Sequence, residues 1–468
     1  MQKIIIKNFG PIKEAEIDIK QVLVLIGEQA SGKSTIAKLI YFFETLNDDY
    51  KEHLNDSIRL NIVAKTLEEL IKNKFYKFYG SHYLKHDLEI LFYFDTKIET
   101  EKFIKIEYFI DDIDIQISTL LKEDYDHYFN LIRNSNLLPE NLDNANLSQE
   151  EFIKIASLIP AFNRIKLSQN IELQSKLIFK NKHEYSIFII SGRNATVQYN
   201  DLFEKQLYAY VQNKIENNNN LKLQLQKQTS DEILTMKFME EVSNNRNLFR
   251  INGGTFESML RFADNKDILL KTEKKIEEIL KGKYKVDKLG ESILVKNNIN
   301  VRIENASSGQ QESIRILQDL FIGILRNDKV LRIIEEPEAH LFPIAQKQMV
   351  ELLALMVNQN EGNTLIITTH SPYILTSFNN LLYAYTVVEE DKDVESQVEK
   401  IVEKEFRLNP KNFAAYTLVV TEDGYISESI LSEKTGVIQA NYLDSVSDIL
   451  GTEFHKLYMI DTNPAVAK

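Results

Sequence analysis

The sequence predicts an α/β protein built on a parallel sheet, to which an antiparallel region and a helical insertion are added. From residue 307 onward, helix patterns alternate with apolar strand patterns, which is the order of a parallel α/β sheet. Residues 22–26 form a continuous apolar run, as expected of a strand covered on both faces. Residues 88–117 alternate between apolar and charged types, which favours antiparallel strands.

The composition is that of a folded chain in a reducing compartment. Of the 468 residues, 43% are hydrophobic and 27% are charged, so apolar material suffices for several domains. The chain has no cysteine, which excludes disulfides and thiol chemistry. No apolar run approaches the roughly 20 residues that span a bilayer, and the first residues lack a signal-peptide pattern, so we expect a cytoplasmic protein without a membrane partner.

The formal net charge of −13 bears on the partners of the chain. An acidic chain does not favour a broad basic surface for nucleic acid. A local basic groove stays open, because net charge says nothing about its distribution. Acidity also suits a partner with a basic surface.

Residues 27–34 match the phosphate-loop pattern G-x-x-x-x-G-K-[ST] between a predicted strand and a predicted helix. Glycines permit the tight turn and let backbone N–H groups approach phosphate oxygens. Lys33 is expected to act in catalysis by reaching the β- and γ-phosphates of ATP, and the Ser34 hydroxyl is expected to bind Mg²⁺. The predicted nucleotide-binding residues are Gly27, Glu28, Gln29, Ala30, Ser31, Gly32, Lys33, Ser34 and Thr35.

Two adjacent carboxylates follow the predicted buried strand at residues 330–334. Burying them without a partner is costly, whereas a magnesium ion and an attacking water would account for both. Glu335 is predicted to orient the water shell of the metal, and Glu336 to polarise the attacking water. The alternative is an acidic turn at the surface.

His370 ends the next predicted strand, at the edge of the sheet where ligands bind in such folds. There it can hydrogen-bond a γ-phosphate. Residues 305–311 place small residues and a glycine at the start of another helix, which suits a second anion site. Read alone, the same residues are a helix N-cap, made by Ser307 or Ser308 with Gln311 or Glu312 nearby.

Together these four motifs resemble the ATP-binding-cassette ATPases, in particular their SMC-like and OLD-like branch. The resemblance covers residues 3–35 and 304–376, and it implies an ABC-ATPase core. Residues 306–310, A-S-S-G-Q, resemble the L-S-G-G-Q signature but depart from it at Ala306 and Ser308. The resemblance implies that nucleotide is also bound by Ser307, Gly309 and Gln310.

The same resemblance implies roles for the strand-end residues. Glu336 matches the catalytic glutamate and His370 the switch histidine, while Glu335 stands where the superfamily usually has an aspartate that serves the metal. The family also uses a glutamine that senses the γ-phosphate. Here the stretch Ser191, Gly192 and Arg193 at a strand end, or Gln198, could supply that polar group, although a plain loop is the favoured interpretation.

The resemblance further implies a homodimer that buries two ATP molecules. The signature of one copy would cover the ATP in the phosphate loop of the other. His340 falls in the stretch that crosses between protomers in that family. Whether the chain also forms a higher oligomer is left open by the sequence.

The predicted segments are a lobe with the phosphate loop (1–116), a helical insertion (117–186), the rest of the lobe (187–300), a lobe with the signature and strand-end residues (301–386) and an α+β section (387–468). Since the ATPase chemistry does not need the insertion, we expect it to bind a partner or trigger. Residues 419–424 faintly resemble the start of a TOPRIM nuclease domain. Too few residues follow, so we predict a hairpin turn there.

The architecture resembles the ATPase subunits of prokaryotic anti-phage systems such as PARIS and Septu. That resemblance implies a sensor that regulates a separate effector, commonly a nuclease, with DNA or a phage protein as a candidate trigger. The alternative is an SMC-like repair or recombination ATPase that clamps DNA. A transporter motor is the least favoured hypothesis, because nothing in the sequence indicates a membrane partner.

Overall fold

A computed structural model describes residues 1–60, 65–80, 83–109, 112–134, 175–176, 178–180, 182–198, 229–439 and 452–455. The described chain forms an 11-stranded sheet in the order β6-β5-β4-β1-β2-β14-β13-β3-β12-β11-β7, and a three-stranded sheet in the order β10-β9-β8. The strands are β1 (Gln2–Phe9), β2 (Ile12–Ile19), β3 (Val22–Gly27), β4 (Glu89–Asp95), β5 (Lys102–Phe109), β6 (Asp112–Ile117), β7 (Tyr185–Ile189), β8 (Lys283–Asp287), β9 (Gly290–Val295), β10 (Ile299–Arg302), β11 (Val330–Glu335), β12 (Thr364–Thr369), β13 (Phe413–Thr421) and β14 (Gly424–Ser429).

Helices cover both faces of the large sheet, and the longest described one, Ser230–Ile251, has 22 residues. They are α1 (Lys33–Glu44), α2 (Leu46–Leu60), α3 (Leu67–Tyr79), α4 (Thr119–Asn134), α5 (Ala195–Gln198), α6 (Ser230–Ile251), α7 (Phe256–Met259), α8 (Lys266–Leu280), α9 (Ser308–Arg326), α10 (Pro343–Gln359), α11 (Pro372–Glu390) and α12 (Glu395–Val398). Within the part of the chain that the structure describes, no helix is long and apolar enough to cross a membrane.

One half of the large sheet is parallel. Strands β13, β3, β12, β11 and β7 all pair in parallel, so their carboxyl ends meet at one edge. In register there, Ile26 pairs with Thr369, and Glu335 pairs with Thr368. The predicted strand and helix alternation after residue 307 is confirmed, and it brings strand ends that are far apart in sequence to the same edge.

The central strand β3 is buried on both faces, as its apolar run predicted. Val22 and Val24 belong to the core on one side of the sheet, and Leu23 and Leu25 belong to the core on the other. The helix that follows packs on the second side through its fully buried Ile36, Leu39, Ile40 and Phe43. Burying each such side chain contributes about 1.5–3 kcal/mol, which holds the loop between strand and helix in place.

The other half of the sheet is antiparallel, in agreement with the pattern at residues 88–117. Strands β2, β1, β4, β5 and β6 pair antiparallel in that order. The sequence did not indicate that the hairpin of β13 and β14 would join the two halves. Strand β14 pairs in parallel with β2, while β13 pairs in parallel with β3. The turn at Thr421 and Gly424 is the hairpin turn that was predicted for residues 419–424.

Helix α9 is tied to its neighbours by three buried ion pairs. Its Arg315 makes a two-pronged contact with Glu291 on β9, at 2.6 and 2.8 Å. Its Asp319 accepts from Arg332 of β11 at 2.6 Å. The third pair, described below, joins the first turns of α9 to the segment after β7. Because buried charges tolerate little misalignment, these pairs fix the position of the helix more than they stabilise it.

Two predicted segments lie partly outside the described residues. The helical insertion (117–186) includes α4, but residues 135–174 lie outside. In the α+β section (387–468), residues 440–451 and 456–468 lie outside as well, so that its described strands are β13 and β14.

Glu44 provides a test of this packing through pH. The carboxylate is buried at the end of α1, and burial raises its pKa from 4.5 to about 7. Between these two values the folded state holds a proton that the unfolded state releases, so stability falls as pH rises through this window. We expect the free energy of unfolding of Glu44→Gln to equal that of the wild type near pH 4.5. Above pH 7 it should be higher than that of the wild type by up to about 3 kcal/mol.

Denaturant unfolding at pH 4.5, 6 and 8 measures this difference. The exposed Glu14→Gln serves as the control and should change the free energy of unfolding little at any pH. Equal stability of Glu44→Gln and the wild type at pH 8 would contradict the prediction.

Candidate functional site

The loop between β3 and α1 has the backbone that its glycines were expected to permit. Ala30 and Gly32 are left-handed, with φ of 61° and 101°. A Cβ at Gly32 would lie 3.0 Å from the Ile12 side chain and 3.1 Å from Pro11, so both φ and space require glycine there. The N-terminus of the 12-residue helix α1 follows at once, which directs free N–H groups toward the loop.

Lys33 lies folded back over this loop. Its Nζ donates to the carbonyls of Gly27 at 2.9 Å and Glu28 at 2.7 Å, and lies 3.4 Å from the Ser31 hydroxyl. Burial lowers the pKa of Lys33 from 10.5 to about 8, although nearby carboxylates, chiefly Glu336, oppose the change. Such an ammonium gains from an anion that replaces the carbonyls as its partner.

Glu335 ends strand β11 with its side chain buried at 6% exposure. Its Oε2 accepts from the N–H of Ser191 at 3.1 Å, whereas its Oε1 is buried and has no hydrogen-bond partner among the described residues. An orphaned carboxylate oxygen at the sheet edge from which the phosphate loop leaves fits a hydrated magnesium ion, and the hydroxyl of Ser34 on the first turn of α1 is a second hard oxygen.

No group of three acidic, histidine or cysteine side chains in the described ranges could hold a metal alone.

Glu336 and His370, which follow the neighbouring strands β11 and β12, are in contact at the same edge of the sheet. Glu336 has a left-handed φ of 44°, and its N–H donates to the carbonyl of Thr368 at 2.8 Å. Its Oε1 lies 3.2 Å from Nε2 of His370, and Nδ1 of the same imidazole lies 3.5 Å from Nζ of Lys33. The imidazole thus bridges the lysine and the glutamate. The left-handed backbone of Glu336 costs about 1–3 kcal/mol for a non-glycine residue, and surrounding contacts must offset this cost.

Glu338 holds the histidine, a role that the sequence analysis did not assign. Its Oε1 accepts from the N–H of His370 at 2.8 Å and from the hydroxyl of Thr369 at 2.6 Å. One feature of the sequence could have indicated this role: Glu338 is the third glutamate of the Glu-Glu-Pro-Glu run at residues 335–338. A carboxylate so close to a buried strand end needs a hydrogen-bond partner.

Arg193, which the sequence offered as a candidate for sensing the γ-phosphate, makes its contacts with protein backbone instead. Its side chain is fully buried, and it donates to the carbonyls of Glu335 at 2.6 Å and Glu336 at 2.9 Å. Burial lowers its pKa, while the carboxylate of Glu312 on α9 opposes the change. The guanidinium therefore supports the backbone of the strand end. The other candidate, Gln198, lies 3.3 Å from the Gln311 side chain.

Residues 307–310 form the helix cap that was one of two interpretations of this segment. The Ser307 hydroxyl accepts from the N–H of Gln310, whose side chain accepts from the N–H of Ser307. Gln310 also donates to the carbonyl of Leu280 at 2.6 Å. A cap does not compete with the anion site, because Ser307 and Ser308 are exposed at the start of a 19-residue helix.

The structure does not join this segment to the phosphate loop within one chain. No hydrogen bond or ion pair among the described residues connects Ser307, Gly309 or Gln310 with residues 27–35. Gly309 instead packs on the exposed His340, where a Cβ would lie 2.6 Å from the His340 carbonyl oxygen. The signature-like segment and the stretch after Glu336 therefore share one surface.

Comparison with known proteins agrees with the loop and strand-end geometry. The AAA ATPase domain family matches residues 1–375. No curated protein matches the chain. Among solved structures, the SMC head domain from Thermotoga maritima is similar over 92% of this chain and 98% of its own length, with 9% identity and a TM-score of 0.36. Both values are low, so this likeness is loose and carries no argument.

The lowered pKa of Lys33 predicts proton uptake when ATP binds. The free side chain loses its proton near pH 8, whereas adjacent phosphates favour the charged form and raise the pKa toward its ordinary 10.5. At pH 9 we therefore expect binding to take up close to one proton, and the affinity to fall by at most about tenfold per pH unit above pH 8.

Titration calorimetry with ATP and Mg²⁺ in two buffers of different ionisation enthalpy measures the uptake. At pH 7 Lys33 is already charged, so the same titration is its own control and should show much less uptake. Binding at pH 9 with no buffer dependence would contradict the prediction.

Proposed function

The chain belongs to the AAA ATPase domain family, and we propose that it binds ATP with Mg²⁺, hydrolyses it and pairs with a second copy around two ATP molecules. The observation that carries the proposal is the contact series at the sheet edge. Nζ of Lys33 lies 3.5 Å from Nδ1 of His370, and Nε2 of His370 lies 3.2 Å from Oε1 of Glu336, although the three residues follow three different strands. A cation, a switchable imidazole and a carboxylate in that order suit a phosphoryl group and an attacking water.

Each residue then has a part in hydrolysis. The N–H groups of the loop and Lys33 bind the phosphate oxygens, which places the γ-phosphate at the sheet edge. Glu336 accepts a hydrogen bond from the attacking water and orients it, and His370 holds Glu336 and donates to the γ-phosphate. Glu338 keeps the imidazole in place through the N–H of His370. When bound, Mg²⁺ would neutralise developing charge, with Ser34 and the free oxygen of Glu335 as the groups that hold it or its waters.

Pairing with a second copy would complete the site. The exposed start of α9 can bind an anion, yet no hydrogen bond or ion pair among the described residues joins it to the phosphate loop of its own chain. A two-fold pair places the same surface on both copies, so the signature-like segment of each can meet the ATP of the other. Exposed apolar side chains near this surface, Phe342 and Tyr373, also favour an interface there.

We further propose that this ATPase is a sensor that regulates a separate effector, a nuclease, in prokaryotic anti-phage defence. The support is the resemblance of its sequence motifs to such ATPases. ATP-dependent pairing would supply the switch, because closure and hydrolysis change which surface the pair presents.

A DNA-clamping ATPase is the second candidate. Its support is the same resemblance, and the chain's acidity disfavours it: 69 acidic residues stand against 56 basic ones. The longest helix that the structure describes extends about 33 Å, which is short for an arm that would encircle DNA.

Glu336→Gln tests the hydrolysis and the pairing together. The amide keeps the shape but cannot accept a proton from water, so we expect hydrolysis to fall by roughly 10²-fold or more while ATP binding is retained. ATP that is not consumed should then accumulate in a dimer, which size-exclusion chromatography with light scattering detects in ATP and Mg²⁺. Glu422→Gln, in the exposed hairpin turn, is the control. A variant that binds ATP but stays monomeric would rule out the paired arrangement.

Mixing two inactive variants tests whether the site is shared. Lys33→Met disables the phosphate loop, and Ser308→Tyr adds bulk at the exposed signature-like segment without touching the Ser307 cap. Each alone should be inactive, whereas a mixed pair retains one intact site. An equimolar mixture should therefore recover about a quarter of the wild-type rate, because half the pairs are mixed and each has one of two sites. No recovery after exchange would indicate that each chain carries a complete site.

A further inference from the structure

We propose that Arg193 is a positioning residue that holds the backbone of Glu336 for hydrolysis and links it to the start of helix α9. The proposal rests on the proposed ATPase function and concerns the regulation of the same site. Arg193 does not contact ATP in this scheme. It acts through the two residues that it holds, Glu336 on one side and Glu312 on the other.

The guanidinium of Arg193 binds the end of strand β11 through hydrogen bonds to backbone carbonyls. Its Nη1 donates to the carbonyls of Glu335 at 2.6 Å and Ile190 at 2.8 Å, and its Nη2 donates to that of Glu336 at 2.9 Å. Glu336 sits in a left-handed conformation that its own side chain does not favour. A planar fork that satisfies consecutive carbonyls stabilises this turn of the chain, and hence the direction in which the carboxylate leaves the sheet.

The opposite side of Arg193 is bound to α9. Glu312 accepts from the N–H groups of Arg193 at 3.0 Å and Asn194 at 3.3 Å, and its carboxylate lies 3.4 Å from Nε of the guanidinium. The Nε also donates to the Glu312 carbonyl at 3.0 Å. Glu312 lies five residues after the Ser307 cap, on the same rigid helix. A shift of the helix start must therefore move Arg193.

Burial excludes a direct role on phosphate. Arg193 is 0% exposed and Glu312 is 2% exposed, so neither can reach a ligand in solution without leaving the other unpaired. A buried pair of this kind is retained for position, because removing one partner leaves a charge without compensation.

The link has a consequence for a pair of copies. The start of α9 would meet the ATP bound by the partner, whereas Glu336 would act on the ATP of its own chain. Arg193 then couples the two sites: when the start of α9 contacts the ATP of the partner, Arg193 passes the displacement on to Glu336, which acts on the ATP of its own chain. The two elements of this path, a capped helix and a strand end, are rigid, so small displacements are passed on.

Arg193→Lys tests the role, because lysine keeps the charge but cannot form the fork. We expect kcat for ATP hydrolysis to fall by roughly 10-fold to 100-fold, the loss typical of a displaced catalytic group, while KM changes by less than about threefold. Binding should be retained because Lys33 and the loop are untouched. A steady-state titration with ATP and Mg²⁺, with thermal unfolding alongside, provides both readouts.

Arg332→Lys is the matched control. Arg332 is also 0% exposed, and it also pairs with a carboxylate of α9, but that carboxylate is Asp319, and Arg332 stands three residues before Glu335 on β11. Both variants should lower the unfolding temperature, but only Arg193→Lys should lower kcat. A kcat of Arg193→Lys within twofold of the wild type, or an equal loss in Arg332→Lys, would overturn the proposal.

Glu312→Gln tests the positioning role of Arg193 if the Arg193→Lys variant does not fold. The amide keeps the shape and one acceptor oxygen but weakens the charge-assisted bonds to Arg193, so kcat should fall at least threefold with KM unchanged. An unchanged kcat overturns the proposal. If the wild type and Glu336→Gln hydrolyse ATP equally slowly, the proposed function itself fails. A wild type that hydrolyses ATP and an Arg193→Lys variant that does so equally well refute only the positioning role.

Discussion

The candidate site depends on one constraint, the parallel pairing of β3, β12, β11 and β7. Parallel strands bring their carboxyl ends to the same edge of a sheet, where the chain must leave and polar groups can reach solvent. Each of these strands is followed at once by a polar group, and the pairing alone makes neighbours of residues that lie hundreds of positions apart. The contacts from Lys33 through His370 to Glu336 are a direct product of this geometry.

The antiparallel half and the C-terminal hairpin stabilise that edge without forming it. Without β13, strand β3 would be the last strand of the parallel half. Strand β13 pairs with the edge of β3 that faces away from β12. Strand β14 then connects to β2, so that one continuous sheet supports the loop from both directions. Strand β3 cannot slip in register, because a shift of one residue would turn the buried Leu23 and Leu25 out of their core.

Buried charge is concentrated around helix α9. Glu312, Arg315 and Asp319 all point into protein rather than water, and each is paired with a residue of a different element. Apolar residues could fill the same volume with equal stability, but they would let the helix rotate or slide. Ion pairs with fixed donors and acceptors allow a single position. That property suits a helix whose exposed start would have to meet a nucleotide at a defined distance.

The sequence by itself determined the local chemistry. The spacing of glycines, Lys33 and Ser34 identified the loop, the apolar runs identified the strands, and the polar residues after them identified Glu335, Glu336 and His370. These features are local because a strand, a turn and a helix start each involve only a few consecutive residues.

Only the tertiary structure decided what Arg193, Glu312 and Glu338 do. Their partners lie on other elements, and no periodicity or spacing marks an arginine that binds carbonyls more than 140 residues away. The same holds for the hairpin that joins the two halves of the sheet. Strand patterns show which face is buried but not which neighbour is paired, since pairing depends on the summed packing of the whole chain.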